Sequence, residues 1–224
     1  MPRRMLAKSG PAETLVTIEG PARTLHGKVL APAGPTKGAL VAAHGRNGDM
    51  DEPLLAGLAA LAAELGLWTL RFTFAYQEAG AEPSAGHEEE IEDLRAAIDF
   101  ARATSGHARV IVAGRGLGAW AAVAAATDES AEEVILLGLS FTGQPERKVA
   151  LERLAEFELD ALLVVGSKSE RLDLPALHDV VRDMRNVQFV IVDAANHRLQ
   201  DARHEAMTDV VFARCERWLR DRIG

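Results

Sequence analysis

The sequence predicts an α/β fold in three layers, with helices on both faces of a twisted, mostly parallel sheet that begins as an antiparallel hairpin. Three observations predict it. Short apolar runs alternate with amphipathic helical stretches along most of the chain. The first two strand-like segments, residues 14–19 and 25–30, are joined by a Gly20-Pro21 turn. Residues 109–122 read as a buried strand, a turn containing Gly114, Gly116 and Gly118, and an Ala-rich helix. β-branched residues without polar alternation suit a parallel strand covered on both sides.

In order, residues 14–19 alternate apolar and polar, as a half-exposed strand does, and residues 25–30 return beside them. Residues 32–37 are a loop rich in Pro and Gly. Residues 38–43 form a short apolar strand that stops at His44-Gly45-Arg46-Asn47-Gly48. A helix is expected from about residue 51, with Pro53 in its first turn and acids near its start. Leu54, Leu58, Leu61 and Leu65 share one face, and Gly66 ends it. Residues 67–74 are the next strand, followed by a polar loop and a helix over 87–104 with Ile91, Leu94, Ile98 and Phe100 or Ala101 inward. After the central strand-turn-helix come a strand over 134–139, a loop and short helix over 141–159, and a strand over 161–165. A helix over 175–184, a strand over 187–192 and a last helix over 202–222 complete the alternation. No repeat or linker interrupts it, so one domain over 1–224 is expected, with 1–12 a flexible N-terminus. The span between residues 134 and 162 leaves little room for a helical lid, so any pocket should be shallow and open.

The 224 residues carry 25 basic against 33 acidic side chains, net charge −8, and are 48% hydrophobic. That length suits one α/β domain with a substantial core. The acidic balance argues against nucleic-acid binding, which uses a basic face. One cysteine, Cys215, excludes an internal disulfide, and no activating neighbour marks it as reactive. No uncharged apolar run is long enough to span a membrane, and Met1 to Gly10 lacks the apolar stretch of a secretory signal. A cytoplasmic protein is expected, and the wealth of Ala and Arg suggests a bacterial one. The histidines are scattered without ligand spacing, so neither a metal nor another cofactor is expected. Oligomeric state is not legible.

Ligands in such sheets meet the carboxyl ends of the strands. Four loops fall there. The His44-Gly45-Arg46-Asn47-Gly48 loop follows a strand as loops whose backbone N–H groups stabilise an oxyanion do; Arg46 would supply the N–H, with His44 tying the loop. In Gly114-Arg115-Gly116-Leu117-Gly118 the spacing is that of G-x-S-x-G, with Gly116 where a serine nucleophile would stand. The same turn also fits G-x-G-x-x-[GA], a dinucleotide fingerprint, but the next strand ends Leu137-Gly138-Leu139-Ser140 without the acid that binds ribose. The Gly166-Ser167-Lys168-Ser169-Glu170 loop is where a triad acid belongs, and its nearest acids are Glu170 and Asp173, the latter also placed to cap the helix near Pro175. His197, just past the last strand, stands where a triad base would. Arg115 reads as a salt-bridge residue or an anion contact, and Trp120 as core packing.

Taken together, Ala43 through Met50, Leu70 through Tyr76, Gly114 through Ala122, Val165-Gly166-Ser167-Lys168 and Asn196-His197 resemble the α/β-hydrolase superfamily. The nearest resemblance is to its small, lid-poor branch related to dienelactone hydrolases, which includes a testis-expressed protein and a subunit of a chromatin-modifying complex. The resemblance implies a hydrolase fold from about residue 38 onward. It places the serine nucleophile on Gly116, the acid on Ser169 and the histidine on His197.

Two readings follow. The first is a pseudo-hydrolase that binds a small molecule or a protein partner at the former active-site cleft through His44, Gly45, Arg46, Arg115 and Leu117. The second is a weak ester or acyl hydrolase in which His197, oriented by Glu170, activates water while the N–H groups of Arg46 and Leu117 hold the carbonyl oxygen. A carboxylate against His197 would favour the second; an apolar plug above Gly116 would favour the first.

Overall fold

Alternate residues of each central strand feed opposite cores, and this builds the three layers. The computed structural model describes residues 13–126, 131, 133–143, 145–156 and 159–223; the expectation for residues 1–12 lies outside them. Its strands are β1 (Thr14–Glu19), β2 (Thr24–Leu30), β3 (Ala39–Ala43), β4 (Trp68–Phe72), β5 (Val110–Arg115), β6 (Glu133–Leu137), β7 (Asp160–Gly166) and β8 (Val187–Val192). They form one sheet in the order β1-β2-β4-β3-β5-β6-β7-β8. β1 pairs antiparallel with β2, and β2 with β4; every later pairing is parallel.

The helices are α1 (Pro53–Glu64), α2 (Ala75–Glu78), α3 (Glu88–Ser105), α4 (Leu117–Ala126), α5 (Pro145–Glu156), α6 (Leu174–Val181) and α7 (Thr208–Ile223). Val110 and Val112 of β5 pack with Leu94 and Ile98 of α3 and Ala122 of α4. Ile111 and Ala113 of the same strand pack with Leu58 of α1 and Cys215 and Trp218 of α7. Strand geometry requires this two-residue alternation. It explains why the runs read as uniformly apolar: both faces are buried.

Boundaries differ from the sequence reading in three places with physical reasons. The last helix starts at Thr208, not near residue 202, because Asp201 Oδ1 accepts hydrogen bonds from the N–H groups of Arg203 (2.8 Å) and Glu205 (3.0 Å). A short acidic side chain that satisfies local backbone donors competes with the helix. β6 stops at Leu137 because Gly138 takes φ +57°. The segment expected to hold a short helix contains the twelve-residue α5, whose Leu151 and Leu154 are buried against the sheet layer. α2 carried no periodic signal in its four residues.

α2 is anchored from α3. Asp93 Oδ2 accepts the N–H of Ala75 at 2.9 Å, and the Glu90 carboxylate accepts from the N–H and hydroxyl of Ser84. Burial pushes the Asp93 carboxyl from 3.8 up to about 6, with the charges of Glu90 and Glu89 adding to the rise. The folded chain therefore takes up this proton more readily than the unfolded chain. The stability so gained is complete below about pH 4 and is lost as pH rises through 6. Asp93→Asn keeps an acceptor for Ala75 and removes the titration. In urea unfolding, its stability relative to the unsubstituted chain should improve by roughly 2 kcal/mol between pH 4 and pH 7; parallel pH profiles would refute this.

Candidate functional site

Backbone packing at the end of β5 sets the site. Gly116, at φ +55°, turns the chain from β5 into α4. A Cβ on Gly118 would lie 2.2 Å from the Ala43 carbonyl oxygen, and one on Gly114 would lie 2.2 Å from the Gly118 carbonyl oxygen. The turn thus presses directly against the end of β3, and the N–H of Gly118 donates to the His44 carbonyl at 3.1 Å. Gly116 differs: a Cβ there would meet only the Cα of Gly45, at 3.8 Å. Its position is open toward the cleft.

His44 is wholly buried, and its ring faces the core, which removes it from the expected ligand contacts. Its Nε2 accepts the Phe74 N–H at 3.0 Å, so Nδ1 carries the proton and donates to the Gly45 carbonyl at 2.7 Å. Burial holds its pKa below the ordinary value, as a neutral ring with two backbone partners requires. The Tyr76 hydroxyl donates to the Arg46 carbonyl at 2.7 Å, fixing the next peptide of the loop. Gly45, Arg46 and Leu117 all line the cleft. Leu117 opens α4, where a helix leaves its first N–H groups without internal acceptors.

Arg115 forms the ion pair that was one of its two expected roles. Its Nη1 lies 2.7 Å from Oε1 of Glu52, the residue before α1. Both groups are largely buried. Burial raises the Glu52 pKa and lowers that of Arg115, and the pairing opposes both shifts. Glu52 is therefore engaged with the turn and makes no side-chain cap for its own helix.

The loops after β7 and β8 are locked together. Ser167 Oγ donates to Asp193 Oδ1 at 3.1 Å and accepts the Ala194 N–H at 2.9 Å, and the Lys168 N–H donates to the Ala195 carbonyl at 2.8 Å. Gly166 and Gly138 lie beneath: a Cβ on either would be within 2.4 Å of a carbonyl oxygen of residues 195–197. This packing brings Glu170 and His197 together, with Glu170 Oε1 2.5 Å from His197 Nδ1. The contact lacks the alignment of a hydrogen bond at Nδ1. Glu170 is 60% exposed, whereas His197 is 20% exposed and lines the cleft. Burial holds the His197 pKa below its ordinary value; the charge of Glu170 opposes this, and Arg171, Arg198 and Arg115 reinforce it. The Glu170 carboxyl is held low, first by its own backbone N–H and then by His197 and Arg171. Ser169 Oγ is buried and has no hydrogen-bond partner among the described residues. Asp173 caps α6, accepting the Ala176 N–H at 3.1 Å.

The cleft encloses about 810 Å³ and opens above Gly116. Trp120 packs against the core, as expected, and also forms part of the cleft wall: its Nε1 donates to the Ser140 carbonyl at 3.1 Å. Arg147, Arg171 and Arg198 also line it, and sequence reasoning missed them. Nothing in a lone arginine of a loop or helix marks it as facing a ligand. Cys215 lies apart, on the buried face of α7, with burial pushing its thiol up to about 12. Among the described residues no three His, Cys, Asp or Glu side chains gather as a metal site, and no helix is long and apolar enough to cross a membrane.

A mostly parallel sheet carrying a glycine-packed turn after β5 and a histidine after β8 defines the α/β-hydrolase class. A family model described as alpha/beta hydrolase domain matches residues 36–215, and the chain belongs to that family. Comparison with curated proteins gives no match. Among solved structures the chain is similar to an α/β serine hydrolase homologue from Coxiella burnetii (TM-score 0.71, 20% identity, 96% of this chain and 99% of that one). It is also similar to an α/β serine hydrolase without a lid from Xanthomonas campestris (TM-score 0.69, 19% identity, 97% and 94%). A third is a dienelactone hydrolase from Anabaena variabilis (TM-score 0.74, 22% identity, 94% and 98%). At these identities the likeness is one of fold.

The three glycines of the turn should respond unequally to a methyl group. Gly118→Ala and Gly114→Ala push a Cβ into backbone and should cost at least 4 kcal/mol or prevent folding. Gly116→Ala meets open space and bears only the left-handed backbone, about 1 kcal/mol. Melting temperatures of the three variants test this ranking; equal losses would contradict it.

Proposed function

We propose that this chain is a pseudo-hydrolase: a member of the α/β-hydrolase family that holds a small molecule in the cleft above Gly116 without forming an acyl-enzyme. The observation that carries the reading is the turn itself. Its backbone is held by Gly114 and Gly118, yet the residue at its tip has no side chain to attack a carbonyl. Ser169, at the acid's position in the branch it resembles, does not line the cleft. A volume of about 810 Å³ is of small-molecule size, which favours such a ligand over a protein partner. The relation to the lid-poor, dienelactone-hydrolase-like branch, and a bacterial cytoplasmic setting, belong to the same proposal.

A specific contact favours a second reading, slow hydrolysis by water: Glu170 stands against His197, which lines the same open cleft as Gly116. A neutral imidazole can accept a proton from water. An exposed carboxylate orients it weakly, which limits the rate.

The test uses p-nitrophenyl acetate and a fluorophosphonate probe. The unsubstituted protein should show no fluorophosphonate label, and hydrolysis should stay at the rate of the buffer alone. Gly116→Ser should accept the label, since the cleft has room for its side chain. Labelling of the unsubstituted protein would overturn the proposal. Under the second reading, label-free hydrolysis appears, rises with pH and levels off with a midpoint below 6.5, as the lowered His197 pKa requires, and is lost in His197→Ala.

A further inference from the structure

The chain carries net charge −8, yet the cleft above Gly116 is lined by more arginines than carboxylates. Pairing sharpens the contrast. Arg115 is neutralised by Glu52 and Arg46 by Glu82, Asp51 is taken by Lys28 and Arg71, and Asp49, the third lining carboxylate, accepts the Asp51 N–H at 2.8 Å. Arg147, Arg171 and Arg198 meet no carboxylate at ion-pair distance among the described residues.

Arg147 is the most organised of the three. It reaches the cleft from α5, with Nη1 donating to the Ser140 carbonyl at 2.9 Å and to the Ser140 hydroxyl at 3.1 Å. Its guanidinium carbon sits 4.9 Å from the centre of the Trp120 ring. That stacking orients a planar fork whose Nε and Nη2 donors are not used by Ser140. Arg171 stands beside the Glu170–His197 pair and Arg198 follows His197 directly, and the charges of both reach the imidazole. Three loops or helices thus bring cations toward one opening. Guanidinium forks match the oxygens of carboxylates and phosphates, and do so best where some water is excluded.

We propose that the cleft selects a small anion, an organic acid or phosphate ester, whose oxyanion is gripped by Arg147 stacked on Trp120, with Arg198 and Arg171 completing the field. The inference rests on the cleft being the ligand site. It adds the ligand's charge, and it assigns α5, through Arg147, a role in recognition.

Titration calorimetry at low ionic strength, with disodium succinate, inorganic phosphate and dimethyl succinate as probes, tests it. At least one of the two anions should bind at least tenfold more tightly than the uncharged diester, and added sodium chloride should weaken it. Succinate alone would identify carboxylate recognition and phosphate alone a phosphate ester; either supports the proposal. Arg147→Gln and Arg198→Gln should each weaken the bound anion at least tenfold. Lys148→Gln, the exposed neighbour paired with Glu152, should not. Arg198 is exposed, so its variant stays informative if Arg147→Gln unfolds. The proposal is overturned if neither anion binds more tightly than the diester, or if both arginine variants bind as the unsubstituted chain does. Fluorophosphonate labelling of the unsubstituted chain would instead remove the pseudo-hydrolase reading and leave the anion preference standing.

Discussion

The close approach of two backbones governs the site. Between the end of β3 and the turn after β5 there is no room for a side chain at Gly118, and within the turn none at Gly114. Polar backbone meets polar backbone there, and the Gly118 N–H to His44 carbonyl bond satisfies one of the groups so buried. His44 completes the arrangement as a neutral ring bridging the Phe74 N–H and the Gly45 carbonyl. Protonating it would place a second donor against the Phe74 N–H, so burial and hydrogen bonding select the same tautomer. The loop that follows β3 is therefore fixed before any ligand arrives.

The opposite wall of the cleft uses the same device. Gly138 and Gly166 admit the carbonyls of residues 195–197, and Ser167 ties the two loops through Asp193 and Ala194. His197 owes its place to backbone contacts more than to Glu170, whose carboxylate is mostly in water. An exposed ion pair contributes little rigidity. Removing Glu170 would alter the titration of His197 more than its position.

Much of this was legible in the chain. Strand periods, the N-terminal hairpin and the order of elements followed from uninterrupted apolar runs separated by helical ones. The loops at the strand ends were legible because Gly-rich turns after buried strands have few other uses. The start of α7 was not, because Asp201 diverts the backbone through a local bond that no periodicity records. Trp120 and Arg147 were not, because their role depends on which way a helix face points, and an Ala-rich helix such as α4 gives little sign of it: eight of its ten residues are buried. Glu52 read as a helix-start acid, and only the fold reveals that Arg115 claims it. Glu170, read from the sequence as the nearest acid, stands against His197, one residue from the position the family resemblance implied.

A glycine at Gly116 fits this frame physically. The tip of the turn lies at φ +55°, a region that costs a side-chain-bearing residue roughly 1–2 kcal/mol. An enzyme bears that strain to aim a nucleophile. A glycine bears no such strain and leaves the neighbouring N–H groups, the Arg115–Glu52 pair and the arginines lining the cleft in place. The cleft above it is lined by polar groups, Arg147, Arg171 and Arg198 among them, and the proposed negatively charged guest rests on those guanidiniums. Retaining the geometry needs no retained chemistry, because Gly114 and Gly118 hold the turn for reasons of packing alone.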